Sequence, residues 1–209
     1  MKKLFFIFSL LFLSNFSNAQ KELQQVANYY FRLNPFNEKI SSFLRQLMND
    51  SEIMNPVVIK RTDTSLFYFK GDYKNFNPFF FKPVRTMVVF AEKEIILNDS
   101  LHLLDTVITY QIAGYSPDGE EGVKDVMQEF KRFDRKYLKK FKSSDFTELK
   151  SNGEVYGGIR NYFTGLSYLS PLSAAWQKIG DNRGNVFVIT LRFKMSENDA
   201  ILPVTPYGF

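Results

Sequence analysis

The stretch VFVITLRFKM, residues 186–195, shows most directly how this chain folds. Polar or charged side chains at Thr190, Arg192 and Lys194 share one face of an extended segment, and apolar side chains line the other. The apolar positions are Phe187, Ile189, Leu191, Phe193 and Met195. Successive side chains of a strand point to opposite faces of its sheet, so this alternation predicts a β-strand with one face on the core. Such half-covered strands are typical of antiparallel sheets.

Further strands are predicted elsewhere along the chain. Residues 176–179 are predicted to form a strand that pairs with strand 186–195 across a glycine-containing turn at 180–184. Gly71-Asp72 is predicted as a turn, and Gly157-Gly158 as the turn of another hairpin. Runs rich in β-branched or aromatic residues predict strands at 57–61, 65–70, 84–91 with an extension toward 97, and 106–113. We therefore expect an antiparallel sheet of about six strands.

Helical spacing of apolar residues precedes and interrupts these strands. Two short N-terminal helices are predicted over residues 23–30 and 36–48. The longest pattern, a three-four spacing from Val123 to Phe141, predicts a central helix over residues 120–142. Acidic residues at its start and lysines at its end complement the helix dipole. The sequence thus predicts an α+β domain in which two N-terminal helices and one long central helix pack on the sheet.

The N-terminal residues have the features of an export signal. Lys2-Lys3 precedes an apolar run over residues 4–13, and Ser17-Asn18-Ala19 supplies small residues before a cut. This order is typical of a secretory signal peptide, with cleavage predicted after Ala19. Residues 1–19 are therefore predicted to be removed. Residues 20–209 are predicted to form a single mature domain that is periplasmic or extracellular.

Composition excludes several classes of site and partner. The chain contains no cysteine, so disulfides, zinc–thiolate sites, cysteine nucleophiles and a lipidated N-terminal cysteine are excluded. An aromatic content of 17% supplies the core instead. The net charge of +5 includes two lysines of the predicted signal, and so mild an excess argues against nucleic acid as a partner. No second apolar run of about 18 residues follows, so no transmembrane helix is predicted in the mature chain.

Few residues point to catalysis. The single histidine, His102, lies close to Ser100 and Asp105, but a Ser–His–Asp triad assembles from residues distant in sequence. One histidine also cannot form a multi-histidine metal site. Glu92 and Glu94 would share one strand face about 7 Å apart, a spacing compatible with an inverting glycosidase and equally with any exposed strand. We therefore predict no catalytic residue, no metal site and no cofactor.

The main candidate for a binding surface is a basic run on the long helix. Seven cations occupy the twelve positions from Lys131 to Lys142, where Asp134 is the only acid. The candidate binding residues are Lys131, Arg132, Arg135, Lys136, Lys139 and Lys140. On a helix these residues form two adjoining rows, 131-135-139 and 132-136-140. The run is either a solvated outer face or a docking surface for something anionic: lipid headgroups, an acidic glycan or an acidic patch of an envelope protein.

The second candidate is the aromatic segment FNPFFFKP, residues 76–83, which we call the Phe loop. Pro78 and Pro83 cannot donate to a sheet ladder, so the segment is predicted as a loop or sheet edge. Its phenylalanines either fold back on the core as a lid or stay exposed as a surface for a partner or ligand. These phenylalanines are Phe76, Phe79, Phe80 and Phe81.

Together these patterns predict an exported, non-catalytic binding or scaffolding protein of the bacterial envelope, with the basic run docking an anionic partner. One alternative is a hydrolase of envelope glycan or carbohydrate that uses Asp/Glu pairs brought together by the fold. A second alternative is a small outer-membrane β-barrel, because the chain ends with Tyr207 and Phe209. Pro203, Pro206 and the long helix oppose this second alternative.

Overall fold

A computed structural model describes residues 21–98, 103–164, 169–179 and 184–204. The predicted signal segment, His102, Ser100 and the C-terminal aromatic pair therefore lie outside the described residues. The helices are α1 over residues 21–30, a 3-10 turn Pro35–Asn37, α2 Ile40–Met48 and α3 Glu120–Tyr137. The strands are β1 Ile53–Ile59, β2 Tyr68–Tyr73, β3 Arg85–Asn98, β4 Leu103–Ser116, β5 Ser143–Ser151, β6 Glu154–Phe163, β7 Leu172–Lys178, β8 Asn185–Met195 and β9 Ile201–Pro203.

All nine of these strands belong to one antiparallel sheet. Its order is β1-β2-β3-β4-β8-β7-β6-β5, and the short β9 pairs with the end of β8. The order divides the chain into two halves, each consisting of helix followed by a four-strand meander. The halves meet where β4 pairs with β8. The last strand of each meander, β4 or β8, therefore lies at the centre of the sheet.

The three α-helices pack on one face of this sheet. Phe43 of α2 contacts Phe90 and Tyr110, and Phe133 of α3 contacts Phe187. The apolar positions of 186–195 lie in the central strand β8, where Phe187, Ile189, Leu191 and Phe193 are completely buried. Burial of this one face explains the alternation in the sequence. No helix of the described ranges is long and apolar enough to cross a membrane.

The expected sheet of about six strands is wrong, because the described residues form nine. The missed strands lie mainly where burial leaves no pattern. Strand β5, with the sequence SSDFTELKS, is an edge strand, and seven of its nine residues are exposed. An edge strand with no fully buried residue needs no hydrophobic alternation. The short β9 was likewise not predicted.

Glycine positions account for further corrections. Gly157 and Gly158 do not form a turn but lie inside β6. The hairpin instead turns at Asn152-Gly153, where both residues have positive φ, 49° and 84°. A two-residue turn of this kind matches the twist of the paired strands and is favoured by Asn-Gly. Gly71 also lies inside a strand, β2, rather than in the predicted turn.

The helix boundaries differ from the prediction as well. The predicted helix over 36–48 is divided into the 3-10 turn and α2, which begins at Ile40. Asp199, distant in sequence, accepts hydrogen bonds from the Ser41 backbone N–H at its two oxygens, 3.1 and 3.2 Å away. Helix α3 ends at Tyr137 rather than at residue 142, because the chain turns into the sheet and Phe141 packs on Tyr162.

Candidate functional site

Helix α3 has one buried face and one cationic face. Val126, Phe130, Phe133 and Tyr137 recur at helical spacing and are buried against the sheet and α1. The cations between them therefore point to the outside. Four candidate binding residues lie on the last turns of α3, whereas Lys139 and Lys140 follow its end. Each predicted row therefore loses its last residue from the helix. We call the six candidates together the basic surface: Lys131, Arg132, Arg135, Lys136, Lys139 and Lys140.

The basic surface is largely without acidic partners. Lys140 forms an ion pair with Glu22 at 2.8 Å and a hydrogen bond with Gln25. Within the described part of the chain, no acidic side chain forms an ion pair with the other five cations. These five are Lys131, Arg132, Arg135, Lys136 and Lys139. Except for Arg132, which also interacts electrostatically with Glu129, their positive charge is therefore available to an outside anion.

Asp134, the only acid in the basic run, faces away from the basic surface. Its carboxylate accepts a hydrogen bond from the Tyr162 hydroxyl at 2.9 Å and contacts the Arg160 guanidinium at 3.3 Å. Both partners lie on β6. The acid therefore fastens the helix to the sheet and leaves the neighbouring cations uncompensated.

The Phe loop is partly a lid and partly exposed. Phe79 and Phe81 are 6% and 8% exposed, stack on each other, and Phe79 meets Phe187 edge to face. Phe76 is partly buried and packs against Tyr73. Phe80 is 59% exposed. Three of the four phenylalanines thus fold back toward the core, and one remains on the surface.

The structure brings Phe80 to the basic surface. The Arg132 guanidinium lies over the Phe80 ring, and the Phe80 backbone N–H donates to Glu129 Oε2 at 2.9 Å. Beside them, the Lys136 ammonium lies 3.8 Å from the centre of the Tyr29 ring. A cavity of about 440 Å³ lies beside these contacts, lined by residues of the Phe loop and of α3 that include Arg132. The two candidate regions of the sequence therefore form one cationic and aromatic surface.

Two pKa shifts describe the electrostatics of this surface. Burial raises the pKa of the Glu129 carboxyl, which is only 2% exposed. Partial burial, together with neighbouring Lys140 and Arg132, lowers the pKa of the Lys136 ammonium. The lowered pKa of Lys136 reflects burial first, and then repulsion from the two like charges beside it. An anion bound here would relieve that repulsion.

The predicted carboxylate pair lies on another part of the sheet. Glu92, Glu94 and Asp105 line a cavity of about 310 Å³ near the end of β3. Both Glu92 oxygens are occupied by the Arg61 guanidinium, and Oε2 also accepts from the Phe67 N–H at 3.0 Å. Asp105 contacts the Lys194 ammonium. Glu92 and Asp105 are therefore held in ion pairs, and the hydrolase hypothesis stays a prediction.

No group of three metal-ligating side chains occurs among the residues the structure describes. Tyr29 of α1 and Glu129 of α3 also contribute to this surface and were not predicted from the sequence. Glu129 precedes Arg132 by three positions, so helical spacing could have placed the two close together. Nothing in the sequence could have placed Tyr29 beside Lys136.

A scan against protein-family models, a search of curated proteins and a search of solved structures each found no match to this chain.

Proposed function

We propose that this protein is an exported, non-catalytic binding protein of the bacterial envelope that docks on an anionic membrane surface through its basic surface. The observation that carries the proposal is the group of five cations on and after the last turns of α3, none of which forms an ion pair with an acidic side chain of the described residues. Anionic lipid headgroups attract clustered lysine and arginine at about 1 kcal/mol per residue near the membrane.

Exposed apolar groups beside these cations favour lipid over an acidic glycan. Phe80 is 59% exposed, Tyr29 44% and Leu138 38%, and all three border the basic surface. Rings beside cations suit the boundary between headgroups and acyl chains. Glycan binding would instead favour open ring faces, yet cations already cover a face of Phe80 and of Tyr29.

Co-sedimentation with lipid vesicles tests this function. The wild-type protein should bind vesicles that contain phosphatidylglycerol and should not bind vesicles of phosphatidylcholine alone. Binding should weaken as salt rises, because salt screens exposed charges beyond about 10 Å at 0.1 M. Replacement of Arg132, Arg135, Lys136 and Lys139 by Gln should lower the affinity at least about a hundredfold.

Two results would contradict the proposal. Equal binding to neutral and anionic vesicles would remove the electrostatic basis of docking. Binding to an anionic polysaccharide that the four replacements abolish, with no vesicle binding by the wild-type protein, would assign the basic surface to a glycan instead.

A further inference from the structure

A well-formed concavity lies on the other side of α3 from the Phe loop. It is a groove of about 630 Å³ between α3 and strands β5, β6 and β7. Its volume is within the range of about 300–1,000 Å³ that small-molecule sites occupy. Its apolar lining consists of Val123, Met127, Phe130, Phe146, Val155 and Trp176. We call this concavity the α3–sheet groove.

The groove exposes apolar surface that the fold itself does not cover. Phe146 is 42% exposed although its ring packs on the buried Phe130, and Val155 is 44% exposed. Phe130 and Trp176 form the inner wall and are 6% and 8% exposed. Contiguous exposed apolar side chains of this kind mark ligand grooves or partner sites.

The two ends of the groove differ in charge. At one end lie Glu120 and Lys178, which carry opposite charges. This end is at the start of α3, because Lys178 pairs with Asn185 across the sheet and Asn185 lies next to Gly122 of α3. At the other end, where Phe130 meets Phe146, stands Lys131. Lys131 has no ion pair with a described acid and also lines the cavity under the Phe loop.

Between the ends, Glu148 is the remaining charged lining residue. Its carboxylate is neutralised by Lys150 at 2.8 Å. The groove is therefore apolar along its length, balanced in charge at the start of α3 and cationic at Lys131. This polarity complements a molecule with one apolar chain and one anionic head.

We propose that the α3–sheet groove binds a single-chain anionic amphiphile of the fatty-acid type, with its chain against Trp176 and its head at Lys131. Such binding is distinct from membrane docking, because the groove would hold a single amphiphile that has left the bilayer. The groove does not include Arg132 or Lys136, which are proposed to bind vesicles. It shares only Lys131 with the basic surface.

Trp176 makes the test direct, because it is the only tryptophan of the chain. Stearic acid that carries two bromine atoms on its chain quenches tryptophan emission on contact. Titration of the full chain with this probe below its micelle concentration should quench Trp176 saturably. Unbrominated stearic acid should not quench, but it should displace the brominated probe.

Two variants locate the ligand within the groove. Val155→Asp places a carboxylate in the lining and should abolish saturable quenching. Val57→Asp is the matched control, because Val57 is similarly exposed at 48% but lies on β1 at the opposite edge of the sheet. Lys131→Gln should weaken binding about fivefold, and Lys124→Gln, an exposed position earlier in α3, should not.

Lack of saturable quenching in the wild-type protein would overturn the inference. Quenching that Val155→Asp and Val57→Asp leave equal would also overturn it, since the probe would then bind outside the groove. Circular dichroism checks whether Val155→Asp is folded. If it is unfolded, an unchanged affinity of Lys131→Gln for the brominated probe would overturn the placement of the ligand head at Lys131. Quenching without vesicle binding would refute membrane docking alone, and vesicle binding without quenching would refute the groove alone.

Discussion

Glu129 links the buried and exposed sides of the candidate site. Its Oε2 accepts the Phe80 N–H at 2.9 Å, and its buried Oε1 has no hydrogen-bond partner in the described structure. The single hydrogen bond joins the Phe loop to α3 and holds Phe80 next to Arg132. Burial of a carboxylate is unfavourable unless it is paired, so this arrangement raises the pKa of Glu129.

The raised pKa predicts a pH dependence of stability. Because the folded protein holds the Glu129 proton more tightly than the unfolded chain, ionisation costs the folded state more. The free energy of unfolding should therefore fall as pH rises from the ordinary carboxyl pKa through the raised one. Glu129→Gln keeps an acceptor for the Phe80 N–H and removes this titration.

Urea unfolding measured from about pH 4 to pH 7 checks this prediction. Relative to Glu129→Gln, the wild-type protein should lose stability as pH rises. Arg132 opposes the shift, so its replacement should enlarge the difference. The prediction would be contradicted if the free energy of unfolding varied with pH in the same way for wild-type protein and Glu129→Gln. The Glu129 carboxyl would then have the same pKa in the folded and unfolded states.

At the scale of elements, glycine serves two different purposes in the β5–β6 hairpin. Gly153 supplies a positive φ of 84° at the turn, and nothing lies within 4 Å of the position its Cβ would take. Gly158 lies inside β6, where a Cβ would be 2.8 Å from the Phe146 ring and 2.9 Å from the Trp176 indole nitrogen. Backbone conformation matters at the first position and space at the second.

Alanine substitution should separate these two effects. Gly153→Ala should lower the free energy of unfolding by about 1 kcal/mol, from backbone conformation alone. Gly158→Ala should cost about 1–3 kcal/mol because it overpacks two aromatic residues. In a Phe146→Leu background the cost of Gly158→Ala should shrink, whereas that of Gly153→Ala should not change. Equal costs of Gly158→Ala in both backgrounds would refute the steric explanation.

The same hairpin shows why the elements were only partly predictable. Helix α3 buries one face, and strand β8 buries one face completely and the other only in part. Such unequal burial leaves three-four spacing or alternation in the sequence. Strand β5 has no fully buried residue and left no such pattern. Gly158 looked like a turn because the ring that packs on it, Phe146, lies across the hairpin in the neighbouring strand.

At the scale of the whole molecule, two helix–meander halves build one sheet with α-helices on one face. The basic run was visible in the sequence because its seven cations lie within twelve positions. The contacts of this run with Phe80 and Tyr29 were not predictable, because these two residues lie in other parts of the chain and reach α3 only in the folded protein. The groove beside Trp176 likewise depends on strand order, which no local pattern encodes.

The central claim is that the position of the cations, rather than net charge, causes docking. Titration of phosphatidylglycerol vesicles with two variants of equal net charge tests it most directly. One variant replaces Arg132, Arg135, Lys136 and Lys139 by Gln, and the other replaces the exposed Arg45, Lys60, Lys93 and Lys39 by Gln. The first should lose at least about a hundredfold in affinity and the second less than about fivefold. Equal losses in both variants would contradict a docking surface on α3.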